Sequence, residues 1–166
     1  GGGAYGSTLN NCALSGNTVS TYGGGNCYGT LNNCTLLGNS AGFGGGGSYS
    51  ATLTNCLLSG NSAYYGGGSH HSTLNNCTLF GNSANNQGGG SSWGTLNNCI
   101  VYFNTAVGPG YNWIGSTMSY SCTTPDPGGV GNITSDPAFV DYAAGNVRLL
   151  SNSPCINAGT NQDWMV

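Results

Sequence analysis

The 166-residue chain has a formal net charge of -3 and only 3% charged residues, while Gly, Asn, Ser and Thr make up more than half of it. One cation cannot neutralise a phosphate backbone, so nucleic-acid binding is excluded, and so are long amphipathic helices with a charged outer face. No apolar run approaches the roughly 18 residues of a membrane-spanning helix, and 37% hydrophobic residues at so low a net charge argue against charge-driven disorder.

From its first residue the chain repeats. Gly1 to Gly3 is followed four residues later by Thr8-Leu-Asn-Asn-Cys12 and then by Gly16-Asn-Thr-Val19. The same order returns with the triplet Gly23 to Gly25, Thr30-Leu-Asn-Asn-Cys34 and Gly38-Asn-Ser-Ala41. Three further copies centre on Cys56, Cys77 and Cys99, so the cysteines recur every 21 or 22 residues. That period is too short for paired-helix repeats and fits a coil of short strands. Each unit predicts three strands: the triplet with the residues after it, Thr-Leu-Asn, and Cys-Thr-Leu-Leu. The expected fold is all-β, a right-handed parallel β-helix of about seven 22-residue turns. Residues 1–107 form the repeats, and residues 108–166 form C-terminal turns and a less regular capping or assembly segment of the same domain. The chain opens in phase with its internal triplets and without a leader, which reads as a mature chain or a fragment of a longer one.

In such a coil each repeat position stacks on its copies. Leu9, Leu31, Leu53, Leu74 and Leu96 are expected to form one inward ladder, and Leu14, Leu36, Leu58, Leu79 and Val101 a second. Cys12, Cys34, Cys56, Cys77 and Cys99 are expected to stack as small buried thiols, because parallel Cβ vectors suit a disulfide poorly. Two Asn columns are expected to bond from turn to turn: Asn11, Asn33, Asn55, Asn76, Asn98, and Asn17, Asn39, Asn61, Asn82, Asn104. Asn also tolerates the left-handed backbone of a sharp bend. Asn33, Asn76 and Asn132 begin Asn-x-Ser/Thr motifs, but the first two lie inside a column and read as structural. Tyr28, Tyr49, His70, His71 and Trp93 follow the triplets. They form either a contact surface for sugars or another chain, or a cover for the Gly-rich corner. No metal site is expected, since neither the Cys column nor His70-His71 offers a ligand set, and no cofactor is implied.

The tail carries Cys122 and Cys155, the most plausible disulfide pair. Asp136, Asp141 and Arg148 suggest an ion pair pinning this segment. The units, read as Leu-x-Asn-Cys-Thr-Leu-x-Gly-Asn-Ser-Ala-x-x-Gly-Gly-Gly, resemble the right-handed parallel β-helix proteins of the pectate-lyase-like superfamily, in particular repeat-rich bacterial secreted and surface proteins. Tyr120-Ser-Cys-Thr-Thr, Gly131-Asn-Ile-Thr-Ser-Asp-Pro-Ala-Phe-Val-Asp141 and Ser153-Pro-Cys-Ile-Asn-Ala-Gly159 are similar to the end segment of such proteins. The resemblance implies export to the cell surface or beyond.

Relatives of that fold cleave acidic polysaccharides with carboxylates, bound Ca²⁺ or a cationic base. Residues 1–125 contain no Asp, Glu, Lys or Arg, so the coil wall lacks every one of those groups. The expectation is a non-catalytic extracellular structural protein that stacks head-to-tail with copies of itself into a fibre or surface layer. A glycan-binding or adhesive module is the alternative. Ice binding comes third, suggested by the column Thr8, Thr30, Thr52, Thr73, Thr95.

Overall fold

In the computed structural model residues 1–160 are described. The final positions 161–166, Asp163 among them, lie outside the described residues. The fold is a parallel β-solenoid of about 22 residues per turn, with no helix among the described residues. Each turn has four faces where three were expected. The first runs from Ala4–Tyr5 to Trp113–Ile114, the second from Thr8–Asn10 to Thr117–Ser119, and the third from Ala13–Ser15 to Cys122–Thr123, six strands each. The fourth has five strands, from Thr18–Val19 to Thr105–Ala106. It comes from the Ser-Ala dipeptides after Gly-Asn, which are too short for alternation to show in sequence but which pair in register, as Ser62 does with Ser40 and Ser83.

Four faces need four corners, and each corner is a column of positive-φ residues. The first holds Gly6, Tyr28, Ser50, His71, Trp93 and Gly115, and the second Asn11, Asn33, Asn55, Asn76, Asn98 and Tyr120. The third is Gly16, Gly38, Gly60, Gly81 and Phe103, and the fourth is the leading Gly of each triplet from Gly23 to Gly110. A single left-handed residue turns the chain sharply, and Gly and Asn do so at least cost. Between corners the strands alternate. In Thr30–Asn32 only Leu31 points inward, and it is fully buried with Leu53, Leu74 and Leu96 above it. Leu36, Leu58, Leu79 and Val101 close the core from the third face.

The first face carries an inward polar column in which Ser48, Ser69 and Ser91 are buried and bond through their hydroxyls, Ser69 to Ser91 at 3.2 Å. Asn26 occupies the same register, fully buried, and neither its Oδ1 nor its Nδ2 has a partner. Asn26→Ser, matching the column, is therefore expected to stabilise the fold by about 1 kcal/mol, the lost packing offsetting part of the relief of two unpaired groups. A raised urea midpoint checks this, and a lowered one contradicts it.

The coil holds five full turns and part of a sixth, not seven. After Thr123 the chain leaves the ladder at Pro125 and Pro127, which have no N–H to contribute. Residues 124–135 then cross the end of the coil. Asn112 Nδ2 donates to the Thr124 carbonyl and Trp113 Nε1 to that of Pro125, both at 3.0 Å. Asn132 Nδ2 donates to the Met118 carbonyl at 2.9 Å, and Ile133 pairs with Cys122. An antiparallel hairpin follows, Phe139–Asp141 with Asn146–Leu149. Phe139 lies near Phe80 and Phe103, and Tyr142 stacks on Phe103 with centroids 4.0 Å apart. The expected ion pair is absent among the described residues. Asp136 and Asp141 accept from the turn amides of Ala138 and Ala144, and Arg148 Nε donates to Asn146.

Candidate functional site

The two Asn columns have different fates. Asn39, Asn61 and Asn82 are fully buried just past the third corner, where they form a continuous amide ladder. Each receives on Oδ1 both the backbone N–H and the Nδ2 of the Asn one turn earlier, at 2.9–3.0 Å, and each returns its second Nδ2 hydrogen to a leucine carbonyl. Asn11, Asn33 and Asn55 instead stand exposed at the second corner. Their role is the left-handed turn, with φ near 54°, and one exposed bond joins Asn76 to Asn55. The expectation that this first column supplies buried pairing is corrected: a corner side chain projects outward. Asn98 has a further partner, exchanging two hydrogen bonds with the Thr160 backbone. The sequence reading also missed Asn112. It stands third in Gly110-Tyr111-Asn112, in phase with the triplets, and its Oδ1 ends the ladder by accepting from Asn104. That phase was the signal that could have found it.

The cysteine column is buried apart from half-exposed Cys12, and all eight cysteines are free thiols. The column does more than fill space. Each of Cys34, Cys56 and Cys77 accepts the backbone N–H of the preceding turn's cysteine at 3.4 Å and donates to the carbonyl two residues before it at 3.2 Å. At the sixth turn Ser121 Oγ takes over, accepting from Cys99 at 3.1 Å. Burial pushes the Cys34 and Cys77 thiols up, and the Cys77 partner raises Cys56 most.

The aromatic residues after the triplets split into two columns. Tyr28, His71 and Trp93 sit at the corner and are exposed. Tyr49 and His70 belong to the strand, Tyr49 half-buried and His70 buried, so His70 is corrected from contact residue to packing residue. Its ring covers Gly44, stacks near Tyr65, and places Nδ1 2.6 Å from Ser92 Oγ. Trp93 covers Gly115 and is nevertheless 53% exposed, so both readings of this surface hold at one residue. The cluster takes in Tyr5, which the repeat phase also places after a triplet, and extends to Tyr22, Phe43 and Tyr64, which sequence reasoning missed. Tyr22, Phe43 and Tyr64 lie in the length-variable stretch before the triplet, where the repeat phase slips.

Burial, and next the His71 ring 4.3 Å away, lower the His70 pKa from 6.5 to about 4. A base with a depressed folded pKa stays neutral in the fold while the unfolded chain takes up a proton. Its contribution is complete above about pH 6.5 and is lost as pH falls toward 4. The expected loss is about 2 kcal/mol, reduced from the full shift because the site is partly solvated. Urea midpoints at about pH 7.5 and about pH 4.5 check it. His70→Gln should flatten that difference, and an unchanged slope would contradict the assignment.

The second face presents Thr8, Thr30, Thr52, Thr73, Thr95 and Thr117 to solvent in register. Beside them Asn32 bonds to Asn10 at 2.9 Å. Thr30→Ala is expected to change stability by less than about 0.5 kcal/mol, as an exposed substitution away from any bond. A thermal melt shifted by more than that would move Thr30 off the surface.

The two ends of the coil differ. At the C-terminal end, residues 124–135 lie over the last strands of three faces. At the other end Ala4, Leu9 and Cys12 are half-exposed where their copies Leu31 and Cys34 are buried, and no strand pairs with the far edge of the first turn among the described residues. Asn17 donates to Asn39, but among the described residues nothing donates to Asn17 Oδ1. No group of three or more His, Cys, Asp or Glu side chains is arranged to hold a metal among the described residues, and no helix is long and apolar enough to cross a membrane. Cys122 and Cys155 line one cavity. Comparison with known proteins finds no matching family model, curated protein or solved structure.

Proposed function

We propose that this chain is a non-catalytic structural β-solenoid of an extracellular or bacterial cell-surface assembly, stacking head-to-tail with copies of itself. The observation that carries the reading is the uncharged wall of a regular parallel coil, in which residues 1–125 hold no Asp, Glu, Lys or Arg. Unpaired strand edges invite another chain. Head-to-tail stacking would place the first turn of one copy on the opposite end of the next, where residues 124–135 must first leave their bonds to Asn112, Trp113 and Met118. Two first turns meeting each other leave that segment in place and close at two subunits. The low charge of the wall supports assembly, since little repulsion keeps neighbours apart. Membership in the pectate-lyase-like superfamily is part of the same proposal and rests on the repeat unit and the end-segment motifs.

Sedimentation over a range of concentrations, with negative-stain microscopy of the purified chain, tests this. Filaments support head-to-tail stacking, and dimers support the edge-to-edge contact. Monomers at high concentration overturn both. The second reading is glycan binding at the first corner. It is favoured by the exposed rings of Tyr5, Tyr28 and Trp93, whose faces can stack on sugars. A glycan array that stays blank removes it. The ice-binding reading rests on the threonine face and is removed by the absence of thermal hysteresis.

A further inference from the structure

The C-terminal segment returns to the coil beside Asn98, where the Thr160 N–H donates to Asn98 Oδ1 at 3.0 Å and Asn98 Nδ2 donates to the Thr160 carbonyl at 2.7 Å. Next to this junction is a cavity of about 130 Å³ between the segment and the last turns. Cys122 and Cys155 both line it, one from the coil and one from the returning segment. Cys122 is buried and its thiol donates to the Ser135 carbonyl at 3.2 Å, whereas Cys155 is half-exposed at the rim.

We propose that Cys122 and Cys155 are an oxidisable pair whose disulfide locks the C-terminal segment onto the coil. The co-reactant is a low-molecular-weight disulfide. Cys155 is the entering thiol: it is half-exposed, and the neighbouring Cys122 thiol, against the opposing effect of burial, holds its pKa below the usual thiol range. Its thiolate attacks one sulfur of the oxidant, whose S–S bond breaks and releases one thiol. Cys122 is held protonated by the neighbouring Cys155 thiol and by burial until that partner is consumed. It then loses its proton and attacks the Cys155 sulfur of the mixed disulfide, expelling the second thiol. The protein loses two protons and two electrons, and the oxidant gains both.

The geometry makes the pair selective. The thiols of the Cys34 to Cys99 column are buried and tied to carbonyls two residues earlier in sequence. Only the thiolate attacks, so the raised pKa values of Cys34, Cys56 and Cys77 keep those thiols inert. The proposal is independent of how the chain assembles.

Arg148, the single Lys or Arg in the chain, lies between the two cysteines and makes the test simple. The folded chain is incubated with glutathione disulfide, alkylated, denatured and cut with trypsin. The expected result is two fragments that stay joined until a reductant is added, with the other six of the eight cysteines unlinked. The locked form should also melt about 6–12 °C higher than the reduced form. Fragments that separate without reductant overturn the proposal, as does a link inside the Cys12 to Cys99 column or between copies. Cys122→Ser provides a positive signature, since it should trap one glutathione on Cys155. A fully alkylated Cys155 in that variant also overturns the proposal.

Discussion

Asn61→Leu is expected to lower stability by about 4 kcal/mol, more than twice the cost of the same change at Asn33. The Asn61 amide has four hydrogen-bonding sites, and all four are used: Nδ2 to the Leu36 carbonyl and to Asn82 Oδ1, both at 2.9 Å, and Oδ1 from the Asn39 N–H at 2.9 Å and from Asn39 Nδ2 at 3.0 Å. Leucine is of similar size but removes every partner. The Asn39 N–H is then left buried and unpaired, at about 1–3 kcal/mol, the Leu36 carbonyl loses its side-chain partner, and further loss comes from the two neighbouring amides. Asn33 is exposed, and its replacement costs mainly the strain of a branched residue at φ 54°, about 1–2 kcal/mol. Urea midpoints give the two costs, and hydrogen exchange at the Asn39 amide locates the first. Equal shifts would mean that the buried column is not the one that holds the turns together.

Gly68→Ala is expected to cost about 3 kcal/mol or more, through overpacking rather than backbone strain. A Cβ on Gly68 would stand 2.5 Å from the Gly90 carbonyl oxygen and 3.1 Å from Asn82 Nδ2. The first obstacle is backbone of the next turn, and the second is the amide ladder, so neither can give way freely. Gly81→Ala is the control. Gly81 has φ +62° and nothing within 4 Å of the added carbon, leaving only the left-handed penalty of about 1–2 kcal/mol. If thermal melts rank Gly81→Ala as the worse of the two, the third triplet position is not the tight one. The same crowding accounts for Asn112. Where a residue at this position has a side chain, that side chain fills the place the ladder would otherwise occupy, and it accepts from Asn104.

The sequence by itself determined the parallel coil, its 22-residue turn and its inward ladders. Repetition alone puts Leu31 on Leu53 on Leu74, and an apolar residue between two polar ones faces inward in any strand. It also determined that asparagines would bond from turn to turn and that the threonine column would face solvent. It did not determine which asparagine column would be buried. Asn33 and Asn39 carry the same amide in the same phase, and their difference arises from the corner. A left-handed residue at the turn throws its side chain outward, whereas a residue just past the turn points into the coil. The fourth face was equally invisible, because a two-residue strand has no alternation to read and exists only through pairing with its copies. Tertiary structure alone decided that residues 124–135 would lie across one end of the coil. That placement depends on single bonds from Asn112, Trp113 and Asn132, made once and not repeated, and a contact made once leaves no period in the sequence.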